Sequence, residues 1–249
     1  PMSGESETPF EGVLLQIDDT VPFEPGYYNE SYLDRRITAR MRRRDTESHA
    51  EYERLLREDS DEREALMDAL TINVTEFFRN PEMWDVLRDV LRERTSEQRR
   101  VRVWSAPSAD GREPYSVAML ACDDPEIDES CVEVIGSDIS EEALDSARTG
   151  VYHTTRTTDI AEELAPLSDP ERYVERSEDD FQVRPAVQRL VTFETHDLIR
   201  DGARDPFDVV LCRNLLIYID VDHKGALFDT LEASLVENGA LVLGMTESV

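Results

Sequence analysis

Apolar positions change their rhythm partway along the chain. Up to about residue 75 they recur at helical intervals, and no stretch alternates as a strand does. A short apolar segment at 10–17 leads into a Pro-rich turn at 21–26. Leu33, Ile37 and Met41 then fall every four residues and predict one buried helical stripe. Further helices are predicted over 48–57 and 61–70, the second opening on Asp61 as N-cap with Glu64 three residues on. Pro81 suits the first turn of another helix whose Trp84, Leu87 and Leu91 share a face.

From Val101 short apolar runs alternate with helical segments. Strands are predicted at 101–106, 132–138, 190–195, 207–212 and 240–244, with helices at 114–122, 140–148 and 222–235. Strands joined by helical crossovers imply a parallel, doubly wound sheet, whose ligands bind beyond the carboxyl ends of the strands. Those ends are the loop 105–111, Asp138, and Arg213 with Asn214. Between 151 and 189 the rhythm breaks, and 172–184 reads as a small antiparallel hairpin turning near 178–180.

Charge is extreme. Asp and Glu number 56 against 27 Lys and Arg, giving a net charge of −29, and Lys224 is the one lysine. Such a surplus repels nucleic acid and anionic lipid over most of the surface. The regular apolar segments argue for a folded chain rather than a disordered one, and a folded chain so acidic is expected in a high-salt cytoplasm, where screening acts over a few ångströms. No apolar run approaches the roughly 20 residues that span a bilayer, and no secretory leader is expected at the start. Cys122, Cys131 and Cys212 are odd in number and irregularly spaced, which fits a reducing compartment rather than a disulfide or zinc framework. Against this background Arg35, Arg36, Arg40, Arg42, Arg43 and Arg44 form a basic cluster with no acid among them. With the apolar stripe buried, Arg36, Arg40 and Arg43/Arg44 share an exposed face.

Four constellations carry candidate chemistry. The small-residue loop 105–111 lets a ligand approach the backbone next to a helix N-terminus, and it lacks the Gly-Lys-Ser/Thr ending of a nucleotide P-loop. Asp138 closes an apolar strand 27 residues beyond Gly111, where an acid takes the two hydroxyls of a ribose or simply caps a helix. Arg213 and Asn214 end another strand with directional polar groups, whereas Cys212 beside them reads as buried filler. Asn73, Thr75 and Arg79 are polar positions around the Phe77–Phe78 pair.

Together the segments 70–79, 103–116, 136–139, 207–218 and 239–247 resemble, in order and spacing, the CheR-type chemotaxis receptor methyltransferases, from about residue 30 to the end of the chain. The resemblance implies a helical receptor-docking domain at 1–72 and a Rossmann-like class I S-adenosylmethionine-dependent methyltransferase domain at 73–249. The latter would carry a small antiparallel β-subdomain inserted at 168–189. The family pattern continues into further C-terminal strands, so the chain is expected to stop before them. The implied reaction is transfer of the cofactor's methyl group to glutamate side chains on the cytoplasmic helical region of a chemoreceptor. Asn73, Thr75, Arg79, Glu113, Asp138, Asp197, Leu198, Arg213 and Asn214 would line the cofactor pocket. Arg79 and Tyr218 would lie nearest the transferred methyl and the incoming glutamate, and Arg36, Arg40, Arg43 and Arg44 would dock the acidic receptor. No metal is required. The loop departs from the family's Ser-Ala-Gly-Cys-Ser-Thr-Gly-Glu-Glu-Pro-Tyr-Ser at Pro107, Ala109, Asp110 and Arg112, and Asp197 replaces a usual Asn. Two rival readings are an enzyme of the same cofactor class acting on a small molecule or RNA, and a non-catalytic module that binds cofactor or receptor.

Overall fold

The computed structural model describes residues 8–71, 75–245 and 247. The chain divides into two compact units, one formed by Pro1–Ile72 with Tyr218–Lys224 and the other by Asn73–Ile217 with Gly225–Val249.

The first unit is helical. The apolar segment at 10–17 lies in α1 (Pro9–Thr20), which starts on a capping box between Thr8 and Glu11 and buries Val13 and Ile17. The predicted stripe becomes α2 (Glu30–Arg43), with Tyr32, Leu33, Ile37 and Met41 buried. α3 (His49–Glu58) starts on the Ser48 side chain. α4 (Ser60–Leu70) starts on Asp59 rather than Asp61, because Asp59 Oδ1 accepts the Glu62 N–H at 3.1 Å. α1 packs on α3, while α2 and α3 both pack on α4. The returning segment adds an aromatic patch: Tyr28 bridges Ile219, the Tyr218 ring lies 4.7 Å from Tyr32, and His223 stacks on Tyr27 at 4.2 Å.

The second unit begins with α5 (Pro81–Glu97), followed by β1 (Val101–Ser105), α6 (Arg112–Asp123), β2 (Val132–Asp138) and α7 (Glu141–Thr149). β3 (Val151–His153), α8 (Ile160–Glu163), β4 (Val174–Ser177), β5 (Asp180–Val183) and α9 (Pro185–Gln188) form an insertion. The main sheet resumes with β6 (Val191–Thr195) and β7 (Phe207–Cys212), and ends with β8 (Leu235–Leu243) after α10 (Val221–Ala233). α10 starts in the segment 218–224 and continues into this second unit.

The five-stranded sheet runs β6-β2-β1-β7-β8 with every neighbouring pair parallel. Strand order reverses beside β1, so the ends of β1, β2 and β7 open onto the same switch point. Val103, Val134, Val209 and Leu211 pack in one core with Leu87 and Leu91 of α5 and Val117 and Leu120 of α6. β2 and β7 match their predicted bounds. β8 starts earlier than predicted, at Leu235: its pairing with Phe207 draws that residue out of the predicted end of α10, and the register then shifts before Ala240 meets Val209.

The predicted hairpin is β4 and β5, turning through Glu178 in the left-handed region (φ 57°). A third strand, β3, pairs with β5 to complete a separate antiparallel sheet of order β3-β5-β4, so this sheet recruits residues upstream of the predicted 168–189 insert.

Candidate functional site

The switch-point edge is built from backbone outward. After β1 the chain runs through the cis Ala106–Pro107 bond into a turn, with Ala109 at φ 46°. Ser108 N–H donates to the Ser137 carbonyl at 2.8 Å, and Ala109 N–H donates to Asp138 Oδ2 at 2.8 Å. The other carboxylate oxygen, Oδ1, accepts the Ser140 N–H at 3.0 Å. Asp138 is thus buried with its two oxygens anchored, each keeping lone-pair capacity for a further donor. Burial pushes its carboxyl above the ordinary value, and the N–H groups of Ser140 and Ala109 pull against that rise.

Gly111 starts α6 at φ 87°; a Cβ there would come within 2.7 Å of Ala147 Cβ and 2.8 Å of Phe193 Cζ. Glycine therefore seats the first turn of α6 against α7 and β6, and this places Glu113 under the end of β1.

Glu113 is the centre of a buried charged network. Ser105 Oγ donates to its Oε1 at 2.8 Å, and Arg213 Nη1 donates to its Oε2 at 2.9 Å. Arg213 Nη2 also donates to the Arg79 carbonyl at 3.0 Å and to Asn80 Oδ1 at 2.6 Å. The Arg213 side chain is 2% exposed. Desolvation raises the Glu113 carboxyl, with Arg213 foremost among the groups opposing it. Two buried polar atoms on this edge, Arg213 Nε and Ser108 Oγ, have no hydrogen-bond partner among the described residues. Arg213 Nε, next to the Glu113 carboxylate, thus keeps a donor that a polar ligand could take up.

The seven predicted pocket residues other than Asp138 and Asn73 lie at the strand ends or in segments bonded to them. Thr75 offers its carbonyl to Arg112 Nη1 at 3.1 Å, and Arg79, Glu113 and Arg213 share the network above. Asp197 and Leu198 follow β6 directly after His196, whose N–H donates to the Asp138 carbonyl at 3.2 Å. Asp197 turns its charge into the turn it begins, with Oδ1 accepting the N–H groups of Ile199 (2.8 Å) and Arg200 (3.2 Å). Asn214 follows Arg213 in the left-handed region at φ 61°. Asn73 lies outside the described residues. Tyr218 belongs to the helical unit, with its ring against Tyr32.

Of the predicted docking arginines, two are engaged within the helical unit. Arg40 grips the fully buried Glu62 through Nε at 2.9 Å and Nη2 at 2.6 Å, and Tyr52 Oη donates to the same carboxylate at 2.7 Å. Arg44 pairs with Asp59 at 2.7 Å. Arg40 is thereby a helix-joining residue rather than a free docking group. Arg36 lies over the Tyr32 ring at 5.4 Å, and Arg43 is exposed.

Sequence reasoning passed over Asn80 and Glu247. Asn80 precedes Pro81 at the start of α5 and adopts φ 60°. Glu247 Oε2 accepts the N–H groups of Asn214 at 2.9 Å and Gly244 at 2.7 Å, holding the turn after Arg213. Its place in the segment 239–247 is the signal that could have singled it out.

A parallel α/β sheet with an acid ending β2 and a buried Glu113–Arg213 pair joining the start of α6 to the end of β7 has the form of a polar-ligand site at a sheet's switch point. Comparison narrows the class. Residues 73–249 match "CheR methyltransferase, SAM binding domain" and residues 13–71 match "CheR methyltransferase, all-alpha domain". The chain belongs to the CheR methyltransferase family. It is 30% identical over 224 residues to the chemotaxis protein methyltransferase of Listeria monocytogenes, covering 89% of this chain and 83% of that one. It is 34% identical over 197 residues to chemotaxis protein methyltransferase 1 of Vibrio cholerae, covering 76% of this chain and 70% of the other. The chain is therefore an S-adenosylmethionine-dependent methyltransferase of chemotaxis. The donor set described above fits that cofactor: acids for a ribose diol and an ammonium, and an arginine for a carboxylate.

Proposed function

We propose that this chain methylates glutamate side chains on the cytoplasmic helical region of a chemoreceptor, giving glutamate methyl esters. The observation that carries the reading is the buried Glu113–Arg213 pair standing beside Asp138 on one edge of the sheet. Asp138 would take the ribose hydroxyls, Glu113 the ammonium, and Arg213, through its unpartnered Nε, the carboxylate of the amino-acid tail. Leu198, Asp197, Asn214, Thr75 and Asn73 complete the lining in this reading. Bound there, S-adenosylmethionine supplies a methyl group activated by its sulfonium.

The protein's own task is positional. A glutamate carboxylate is already ionised at neutral pH, so no residue has to remove a proton. Arg79 would hold the incoming carboxylate by charge-assisted hydrogen bonds, and enclosure of the site would strip it of water. So held, its oxygen would face the methyl carbon that the cofactor supplies, with the cofactor's sulfur as the leaving group that keeps the electron pair. The role proposed for Tyr218, orienting that carboxylate through its hydroxyl, is supported by its place in the matching segment 207–218.

Residues 1–72 are proposed to dock the receptor, with the exposed Arg43 and the half-buried Arg36, which lies over the Tyr32 ring, as the arginines offered to its acids. A cytoplasmic setting belongs to the same proposal; no helix of the described residues is long and apolar enough to cross a membrane.

The test uses methyl-labelled S-adenosylmethionine and receptor-bearing membranes in molar KCl. Label should enter the receptor and leave as methanol under mild base. Base-stable label, or label confined to small molecules or RNA, overturns the reading.

A further inference from the structure

Arg112 is one of the positions where the loop departs from the family pattern, and nothing in the proposed reaction uses it. It sits at a junction. Its Nη1 donates to the Thr75 carbonyl at 3.1 Å and lies 3.4 Å from Glu163 Oε1, while its Nε lies 3.2 Å from Asp110 Oδ2. Its guanidinium also stands 5.4 Å from the Tyr152 ring centroid. Glu163, the last residue of α8, uses Oε2 to accept the Phe77 N–H at 2.9 Å. The Arg112 and Glu163 side chains are 14% and 12% exposed, so solvent screens the pair little.

The ion pair therefore reaches the chain 75–77 from both sides, as donor to one carbonyl and acceptor from one N–H. Two and three residues further on are Arg79 and Asn80, whose carbonyl and side-chain oxygens hold Arg213. We propose that Arg112 and Glu163 are positioning residues for cofactor binding, a two-ended clamp that fixes the 75–80 segment and links it to the inserted subdomain. The inference rests on the reading that Thr75, Arg79 and Arg213 hold S-adenosylmethionine.

The geometry separates a clamp from an ordinary salt bridge. Exchanging the charges, Arg112→Glu with Glu163→Arg, restores opposite charges but places an acceptor before the Thr75 carbonyl and donors before the Phe77 N–H. Because a glutamate at 112 would also face Asp110, only recovery by the exchange is decisive, and it would speak for a plain salt bridge. Arg112→Lys keeps a cationic donor for Thr75.

The experiment is calorimetry of the full chain with S-adenosylhomocysteine in molar KCl, alongside the denaturation midpoint of each variant. Arg112→Gln and Glu163→Ala should each weaken binding about tenfold, the size of one lost charge-assisted bond. The double variant should be little worse than either, the exchange should stay weak, and Arg112→Lys should recover most of the affinity. Binding within twofold of the parent in both single variants overturns the clamp, as does full recovery by the exchange or no recovery by lysine. Arg79→Ala is the control on the underlying site: unchanged affinity there refutes the placement of Arg79, and the Arg112 series still decides the clamp.

Discussion

Replacing Glu113 by glutamine preserves the size of the side chain and removes one charge from a buried pair. Ser105 Oγ still has an oxygen to donate to, but Arg213 loses its carboxylate at 2.9 Å. Its remaining partners, the Arg79 carbonyl and Asn80 Oδ1, are neutral. Breaking one side of a buried pair costs about 3–5 kcal/mol, and these two retained bonds place the loss near the lower end, about 3 kcal/mol. For a chain of this size that corresponds to a fall in Tm of roughly 6–12 °C. Molar salt should rescue little of it, since Arg213 is 2% exposed. The double variant Glu113→Leu with Arg213→Met removes both charges, so stability should return towards the parent while affinity for S-adenosylhomocysteine stays lost. Denaturant titration and calorimetry in molar KCl read both quantities. A Glu113→Gln chain within 0.5 kcal/mol of the parent, or a double variant that binds as the parent does, would refute the reasoning.

Other outcomes follow from the same structure. Charge reversal at Arg36 and Arg43 should lower receptor methylation and leave S-adenosylhomocysteine binding intact, whereas reversal at Arg40 should unfold the helical unit by stranding Glu62 and Tyr52; circular dichroism with the methylation assay distinguishes the two. Burial first, then the charge of Arg204, lowers the His196 pKa, so the folded state favours the neutral ring. The unfolded chain then binds the extra proton, so this stability is present above the unfolded value near 6.5 and is lost as pH falls through the folded one. His196→Asn should flatten the acid side of the Tm–pH profile by that share. Finally, a net charge of −29 predicts loss of helical signal between molar and millimolar KCl, and an unchanged far-UV spectrum would remove the case for salt adaptation.

Legibility in the sequence followed the range of the interactions. β2 and β7 were readable to the residue because each is an apolar run stopped by polar groups, and a run buried on both faces needs no partner to betray it. The place of Asp138, Arg213 and Asn214 at the strand ends was readable because a parallel sheet presents the carboxyl ends of its strands at one edge. β3 was not readable: three residues are too short for a pattern, and its partner β5 lies far along the chain. The docking face was read from helical spacing alone, which cannot show that Arg40 meets a carboxylate 22 residues away. Glu163 escaped for the same reason, its bond to Phe77 spanning 86 residues. Asp59 outcompeted Asp61 as cap because the first helical turn began two residues earlier than a cap at Asp61 implies.

The helical unit is completed by seven residues from the far half of the polypeptide, 218–224. A fragment expressed as the first 72 residues would retain α1 to α4 yet leave Tyr27, Tyr28 and Tyr32 without the Ile219 bridge, the Tyr218 ring and the stacked His223. Dissecting this protein at the apparent joint would therefore yield a piece with a bare aromatic flank and a tendency to self-associate. A faithful minimal version would have to splice 218–224 back on through an artificial linker.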